Sequence, residues 1–228
     1  MFVRWLTQAG LVFDNGRITV MVDPYLSNSV GERCPEKNRR IPVDESMFDI
    51  EPDVIIITHE HLDHLDPETL KRFLDKDRRI TVLAPYNAYL KLSLMGGGHN
   101  YVMLRPGSVW SQGGIAFYAV RAEHSDLCAA GYILDDGKKT YYVSGDTLYN
   151  YDVIDDVIDL CEDGVDFAFL PINGVGNNMN ARDAADFAEE IGAKCAIPLH
   201  YGLFDSISPD EFDFEDKLVL KPYERIEL

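Results

Sequence analysis

The stretch Val54-Ile55-Ile56-Ile57-Thr58-His59-Glu60-His61-Leu62-Asp63-His64-Leu65-Asp66-Pro67 joins a buried strand to a helix through a loop crowded with metal-binding side chains. Val54 to Ile57 is a continuous apolar run, which suits a strand covered on both faces. Asp66-Pro67 is a helix start, with Asp66 as N-cap and Pro67 at the first helical position. Leu70, Phe73 and Leu74 then give that helix an apolar stripe. Between the two elements lie three imidazoles and a carboxylate. Neutral imidazole suits zinc, iron and related ions, and carboxylate suits harder cations such as manganese. His59 and His61 are two residues apart, so in extended backbone they point to one side. Asp63 and His64 lie past the bend and can face a second ion.

Working outward, three of the chain's six histidines fall within these six positions, and two of the others also follow apolar strands. His124 comes after Ala119-Val120, and His200 comes after Ile197-Pro198-Leu199. Asp146 follows the strand Tyr141 to Val143 through Ser144-Gly145. Strand ends on one rim of paired sheets can bring such residues to a single site. The sixth histidine, His99, sits beside Gly96-Gly97-Gly98 and reads as a surface residue.

The remaining pattern alternates strands with covering helices. Leu11 to Phe13 and Ile18 to Val22 read as a hairpin, with Asn15-Gly16 supplying the positive φ angles of a tight turn. Ile80 to Ala84 is a strand, followed by a helix from Pro85 to about Met95. Residues 101 to 123 read as antiparallel strands, as do Tyr132 to Leu134 and Tyr141 to Val143. Helices are expected around Val153 to Ile158 and after the Asn180 cap, and strands at Phe167 to Ile172, at Ala196 to Leu199 and within 218–228. Ser27 to Ser46 has no periodicity and reads as a long functional loop. Two packed sheets flanked by helices are the expected α/β architecture, in one domain spanning 1–228.

Composition restricts the function. With 21 basic and 39 acidic residues the net charge is −18, which argues against a broad nucleic-acid footprint. No apolar run approaches the roughly 18 residues of a membrane span. The opening residues lack the pattern of a signal peptide, and the four cysteines, Cys34, Cys128, Cys161 and Cys195, form no CxxC pair. A cytoplasmic protein with reduced thiols is the expectation.

The series HEHLDH, lone His124, Gly145-Asp146-Thr147 and Leu199-His200 resembles the motif series of the metallo-β-lactamase superfamily, in the same order and over most of the chain. Asp23-Pro24 matches the family's early aspartate. The resemblance implies the αββα sandwich with its site at the edge. It further implies that His59, His61 and His124 bind one metal, that Asp63, His64 and His200 bind a second, and that Asp146 bridges both. Trp5-Leu6, Val22-Asp23-Pro24, His124-Ser125-Asp126 and Ile197-Pro198-Leu199-His200 are similar to the ascorbate-6-phosphate lactonase-like branch. Members of that branch often carry a histidine in the opening loop, where this chain has Gln8.

Two divalent ions, zinc or manganese, can share a hydroxide and stabilise a developing oxyanion. Asp63 is then the expected catalytic residue, holding the hydroxide and moving a proton to the leaving group. Asp23 would orient a histidine ligand through its free N–H. Asn173, Tyr201, Arg39 and Arg40 are candidate substrate contacts, the last two belonging to a basic loop with Arg33 and Lys37 that suits a phosphate. The expected reaction is hydrolysis of a small-molecule ester or lactone, such as a phosphorylated sugar lactone. A phosphodiesterase acting on a nucleotide or lipid headgroup, and a non-catalytic metal-binding sensor, are the alternatives.

Overall fold

The computed structural model describes all 228 residues, and they divide into two compact units. The first comprises Met1–Leu104, Gly202–Asp205 and Leu220–Leu228. The second comprises Arg105–Tyr201 and Ser206–Val219. No helix is long and apolar enough to cross a membrane.

The first unit is built on a seven-stranded mixed sheet. Its strands are β1 (Phe2–Trp5), β2 (Leu11–Asp14), β3 (Thr19–Val22), β4 (Val54–Ile56), β5 (Thr81–Ala84), β6 (Asn100–Met103) and β13 (Arg225–Glu227), in the order β13-β1-β2-β3-β4-β5-β6. β4 pairs in parallel with both β3 and β5, and all three of its residues are buried. That central position explains the unbroken apolar run, because neither face meets water. The helices are α1 (Ser29–Arg33), α2 (Pro67–Leu74) and α3 (Tyr86–Leu92).

Asp66 caps α2 as the sequence predicts, accepting from the backbone N–H groups of Glu68 and Thr69. The contact is worth about 1 kcal/mol. Leu70, Phe73 and Leu74 of α2 join Ile55, Ile57 and Val82 in the core, each fully buried side chain contributing about 1.5–3 kcal/mol. The cap also reaches the segment before it, since Ser29 Oγ donates to Asp66 Oδ1 at 3.0 Å.

The second unit carries a six-stranded mixed sheet. β7 (Val109–Gln112), β8 (Ile115–Arg121), β9 (Ala130–Asp135) and β10 (Thr140–Val143) are antiparallel neighbours. β11 (Phe167–Pro171) and β12 (Ala196–Leu199) then pair in parallel beyond β10. α4 (Tyr151–Leu160) and α5 (Ala181–Glu190) are the crossovers that parallel pairing requires. Asn180 caps α5 through its side-chain oxygen. The loops after α4 and α5 meet so closely that a Cβ on Gly164 would lie 2.1 Å from the Gly192 carbonyl oxygen.

Several expectations need correction. Asn100–Met103 is not part of an antiparallel meander; it follows α3 and runs parallel to β5 in the first unit's sheet. The β2–β3 turn takes a positive φ at Gly16 alone. Asn15 contributes through its side chain instead, accepting from the N–H groups of Arg17 and Ile18. Residues 27–46 contain α1 and short 3-10 turns as well as loop. His99 is buried: its Nδ1 accepts from Ile80 N–H at 3.2 Å and its Nε2 donates to the Leu74 carbonyl at 2.7 Å. It ties the end of α2 to the start of β5, a role that its glycine-rich neighbourhood conceals. All four cysteines are free thiols.

Candidate metal centre

In the first unit, β4 ends at Ile56 and the chain turns tightly, His64 and Leu65 both donating backbone N–H groups to the His61 carbonyl. The backbone from His59 to His61 is itself bent rather than extended. The two rings still meet, but through different nitrogens: His59 Nε2 lies 3.0 Å from His61 Nδ1.

A buried carboxylate organises this loop. Asp23, fully buried just past β3, accepts from Thr58 N–H at 2.8 Å and from Thr58 Oγ1–H at 2.5 Å, and its Oδ2 lies 2.7 Å from His64 Nδ1. A carboxylate only accepts, so His64 carries its proton on Nδ1 and presents Nε2 as a lone pair. Thr58 spends its hydroxyl proton on Asp23, so its oxygen accepts from His59 Nδ1 at 3.1 Å, which leaves His59 Nε2 as a lone pair as well. One aspartate thus sets the tautomer of two imidazoles, one of them through Thr58. Sequence reasoning placed Asp23 beside a histidine; it did not find Thr58.

Asp63 Oδ2 lies 3.9 Å from His64 Nε2 and accepts from Gln8 Nε2–H at 2.8 Å. Gln8 arrives on a strained loop, with φ of +74° at Thr7 and +49° at Gln8. Left-handed backbone of this kind costs a non-glycine residue of order 1–3 kcal/mol. For β-branched Thr7 it is a clear outlier.

Asp146 in the second unit faces two histidines with its two oxygens. Oδ2 lies 3.9 Å from His124 Nε2, and Oδ1 lies 3.3 Å from His200 Nε2. His124 Nδ1 donates to the Asn177 carbonyl at 3.1 Å, so its Nε2 is again the lone pair. His200 follows β12 with a φ of +59°. Asn173 follows β11, where Ile172 N–H donates to the Leu199 carbonyl next to His200. The Asn173 and Asn178 side-chain oxygens are buried without a hydrogen-bond partner. Burial, with a smaller contribution from the charge of Asp210, pushes the Tyr201 phenol up to about 12, so it stays protonated at neutral pH.

The donor set fits divalent cations. Within each unit the facing ligand atoms lie 3.0 to 3.9 Å apart. Two donors at about 2.0–2.2 Å from one ion are separated by that much. The hydrogen bonds of His59, His64 and His124 leave Nε2 as the lone pair in each ring, and all three belong to the two His/Asp groups that could hold a metal ion.

Arg39 needs a different reading from the one its sequence neighbourhood invites. Its Nη1 donates to the Tyr25 carbonyl, its Nε to the Ile41 carbonyl, and its Nη2 to Thr7 Oγ1 and Tyr223 OH. The guanidinium is a strut that ties the 27–46 segment to the opening loop. Arg40 is exposed.

Known proteins place the chain. The family described as "Beta-lactamase superfamily domain" matches residues 19–201. A UPF0173 metal-dependent hydrolase from Methanobrevibacter smithii is 30% identical over 225 residues, covering 92% of this chain and 85% of that protein. Another, from Thermoplasma acidophilum, is 30% identical over 208 residues, covering 88% and 83%. Igni18, a metallo hydrolase from Ignicoccus hospitalis, superposes with a TM-score of 0.78 at 18% identity, covering 99% and 97%. This chain belongs to the β-lactamase superfamily, has the metallo-β-lactamase αββα fold, and is a metal-dependent hydrolase.

Proposed function

We propose that residues 1–228 act as one catalytic domain that hydrolyses a small ester or lactone bearing a phosphate or another anionic group. In this reading two divalent ions, zinc or manganese, are held by both sets of donors. His59, His61 and His124 serve one ion, Asp63, His64 and His200 serve the other, and Asp146 serves both. The order of the motifs along the family supports that division. Bound there, such ions supply Lewis acidity and lower the pKa of a water.

The chain's own groups do the rest. Asp63 passes a proton to the leaving oxygen. Asp23 keeps His64 protonated on Nδ1, so that Nε2 remains a ligand. Asn173 and the neutral Tyr201 phenol are assigned to contact the substrate, with Arg40 available at the surface.

The observation that carries the anionic substrate lies in the first unit. A cavity of about 280 Å³ is lined by Arg33, Lys91, Glu60 and His61, with Leu62, Leu65 and Pro67 as apolar walls. Lys91 pairs with Glu60 at 2.8 Å, and the Arg33 guanidinium adds a second cationic group to the lining. On a chain of net charge −18, a local positive group beside a candidate ligand favours an anion that the rest of the surface repels. The strut role of Arg39 moves the phosphate grip from Arg39 to this cavity.

The test compares a sugar lactone with its phosphorylated form on wild type, Arg33→Ala and Lys91→Ala. Losing a charge-assisted contact distant from the reacting carbonyl should raise KM about tenfold for the phosphorylated lactone and leave kcat nearly unchanged. The unphosphorylated lactone should respond little. Equal losses on both lactones would refute the anion subsite. Turnover confined to phosphodiesters would replace the lactonase reading with the phosphodiesterase one.

A further inference from the structure

The loop joining β1 to β2 is held with unusual thoroughness for a connection between two strands. Leu6 N–H donates to the Gly10 carbonyl at 2.7 Å, and Gly10 N–H to the Thr7 carbonyl at 2.9 Å. Trp5 Nε1 donates to the Gln8 carbonyl at 2.9 Å, and Arg39 Nη2 to Thr7 Oγ1 at 2.9 Å. Thr7 and Gln8 are both buried and both have positive φ. Strain of this kind persists only where the surroundings over-determine it. What it delivers is one carboxamide, whose Nε2–H donates to Asp63 Oδ2.

We infer that Gln8 is a positioning residue. Its carboxamide fixes Asp63 as a ligand of the second ion, and so sets the affinity for that ion and the turnover rate, without touching substrate. This rests on the two-ion reading above.

The chemistry of the pair supports the assignment. A carboxylate offers about four lone-pair sites on its two oxygens. Gln8 occupies one on Oδ2, the oxygen that also lies 3.9 Å from His64 Nε2. An oxygen that accepts an N–H in this way can also coordinate a cation, so the contact with Gln8 is compatible with ligation by Asp63. The amide stops the carboxylate from rotating about its Cβ–Cγ bond, yet brings no charge. The partner of Asp63 therefore does not offset the charge of its carboxylate. A lysine or arginine in place of Gln8 would neutralise it, and a glutamate would repel it. Arg39 extends the arrangement, because it locks Thr7 and thereby the residue next to Gln8. The 27–46 segment is in this way mechanically linked to Asp63 through a chain of named contacts.

The test uses Gln8→Asn and Gln8→His. Asparagine keeps the amide and tolerates positive φ, but is one methylene too short to reach Asp63. Histidine restores a neutral N–H donor of similar reach. Zinc or manganese is titrated into each full-length protein by calorimetry, alongside thermal unfolding of the metal-free forms and turnover of an activated ester. For Gln8→Asn the second binding event should weaken by about tenfold or more while the first is unchanged, the range typical when a partner of a metal ligand is lost. Turnover should fall in kcat rather than KM, the metal-free Tm should drop by no more than the few degrees that one hydrogen bond is worth, and Gln8→His should recover the second event. A second event as tight as in wild type would overturn the inference. So would equal weakening of both events with a larger fall in metal-free stability, which would make Gln8 a scaffold residue only. If wild type itself takes a single ion with full activity, the two-ion reading fails, and this inference with it.

Discussion

Asp23→Asn is the substitution that asks most of the site while changing least of its shape. The carboxylate accepts three hydrogen bonds in a fully buried setting: two from Thr58 and one from His64 Nδ1. An asparagine of the same size keeps one acceptor oxygen, which Thr58 N–H retains. The new NH2 group then faces Thr58 Oγ1 and His64 Nδ1. The threonine hydroxyl can turn and accept. His64 can answer only by moving its proton to Nε2, the nitrogen that must bind metal. The metal-free protein therefore loses about one buried charge-assisted contact, about 1–3 kcal/mol. For a chain of this size that lowers Tm by roughly 2–4 °C for each kcal/mol. The metal-bound protein loses more, because ligation must first restore the other tautomer. A 10- to 100-fold fall in affinity, about 1.4–2.7 kcal/mol, is the expected addition. Differential scanning calorimetry with and without metal, together with competitive metal titration, separates the two terms. If the variant binds metal as tightly as wild type, Asp23 does not set the His64 tautomer, whatever happens to its Tm.

Two further perturbations probe the frame around the site. His99→Phe removes the partners of Ile80 N–H and the Leu74 carbonyl and should cost about 1–3 kcal/mol, with kcat unchanged; an unaltered Tm would contradict the clamp. Asp166 provides a pH signature. Burial pushes its carboxyl up, but the Thr140 backbone N–H and the Lys194 ammonium outweigh this and hold it below its ordinary value of 3.8. A carboxyl depressed in the folded state stabilises fully above the unfolded value and stops doing so as pH falls through the folded one. The Tm gap between wild type and Asp166→Asn should thus be constant above about pH 5 and close below about pH 4; a gap that persists in acid would refute it.

The parts of this molecule that were legible in its sequence are those governed by local chemistry. β4 and α2 could be read because an apolar run, a capping aspartate and a proline act within a few residues of each other. The same holds for the Asn180 cap and the β2–β3 hairpin. The strand at Asn100–Met103 was assigned to the wrong kind of pairing. Its residues suit any sheet, and only the crossover through α3 decides that it runs parallel to β5. His99 was misread for a related reason. Three neighbouring glycines signal a loop, while the two backbone groups it satisfies lie 19 and 25 residues away.

The same distinction divides the site. Donor residues announce themselves by type and spacing, so the histidines and aspartates stood out at once. The groups that hold them are harder to read: Asp23 is legible beside a histidine only through its motif, which does not say that the histidine is His64, 41 positions on, and nothing local links Gln8 to Asp63 across 55. Charge can mislead as well. Arg39 belongs to a basic stretch of a strongly acidic chain, which suggests an anion, yet its donors close on two backbone carbonyls and two hydroxyls within its own unit. A guanidinium satisfied in that way is an internal brace, because engaging a phosphate would require breaking contacts that keep Thr7 in its strained conformation. The brace and the donor act in series: Arg39 secures Thr7, Thr7 carries Gln8, and Gln8 holds Asp63. Loss of Arg39 should therefore register at Asp63 even though the two side chains make no contact in that chain of bonds.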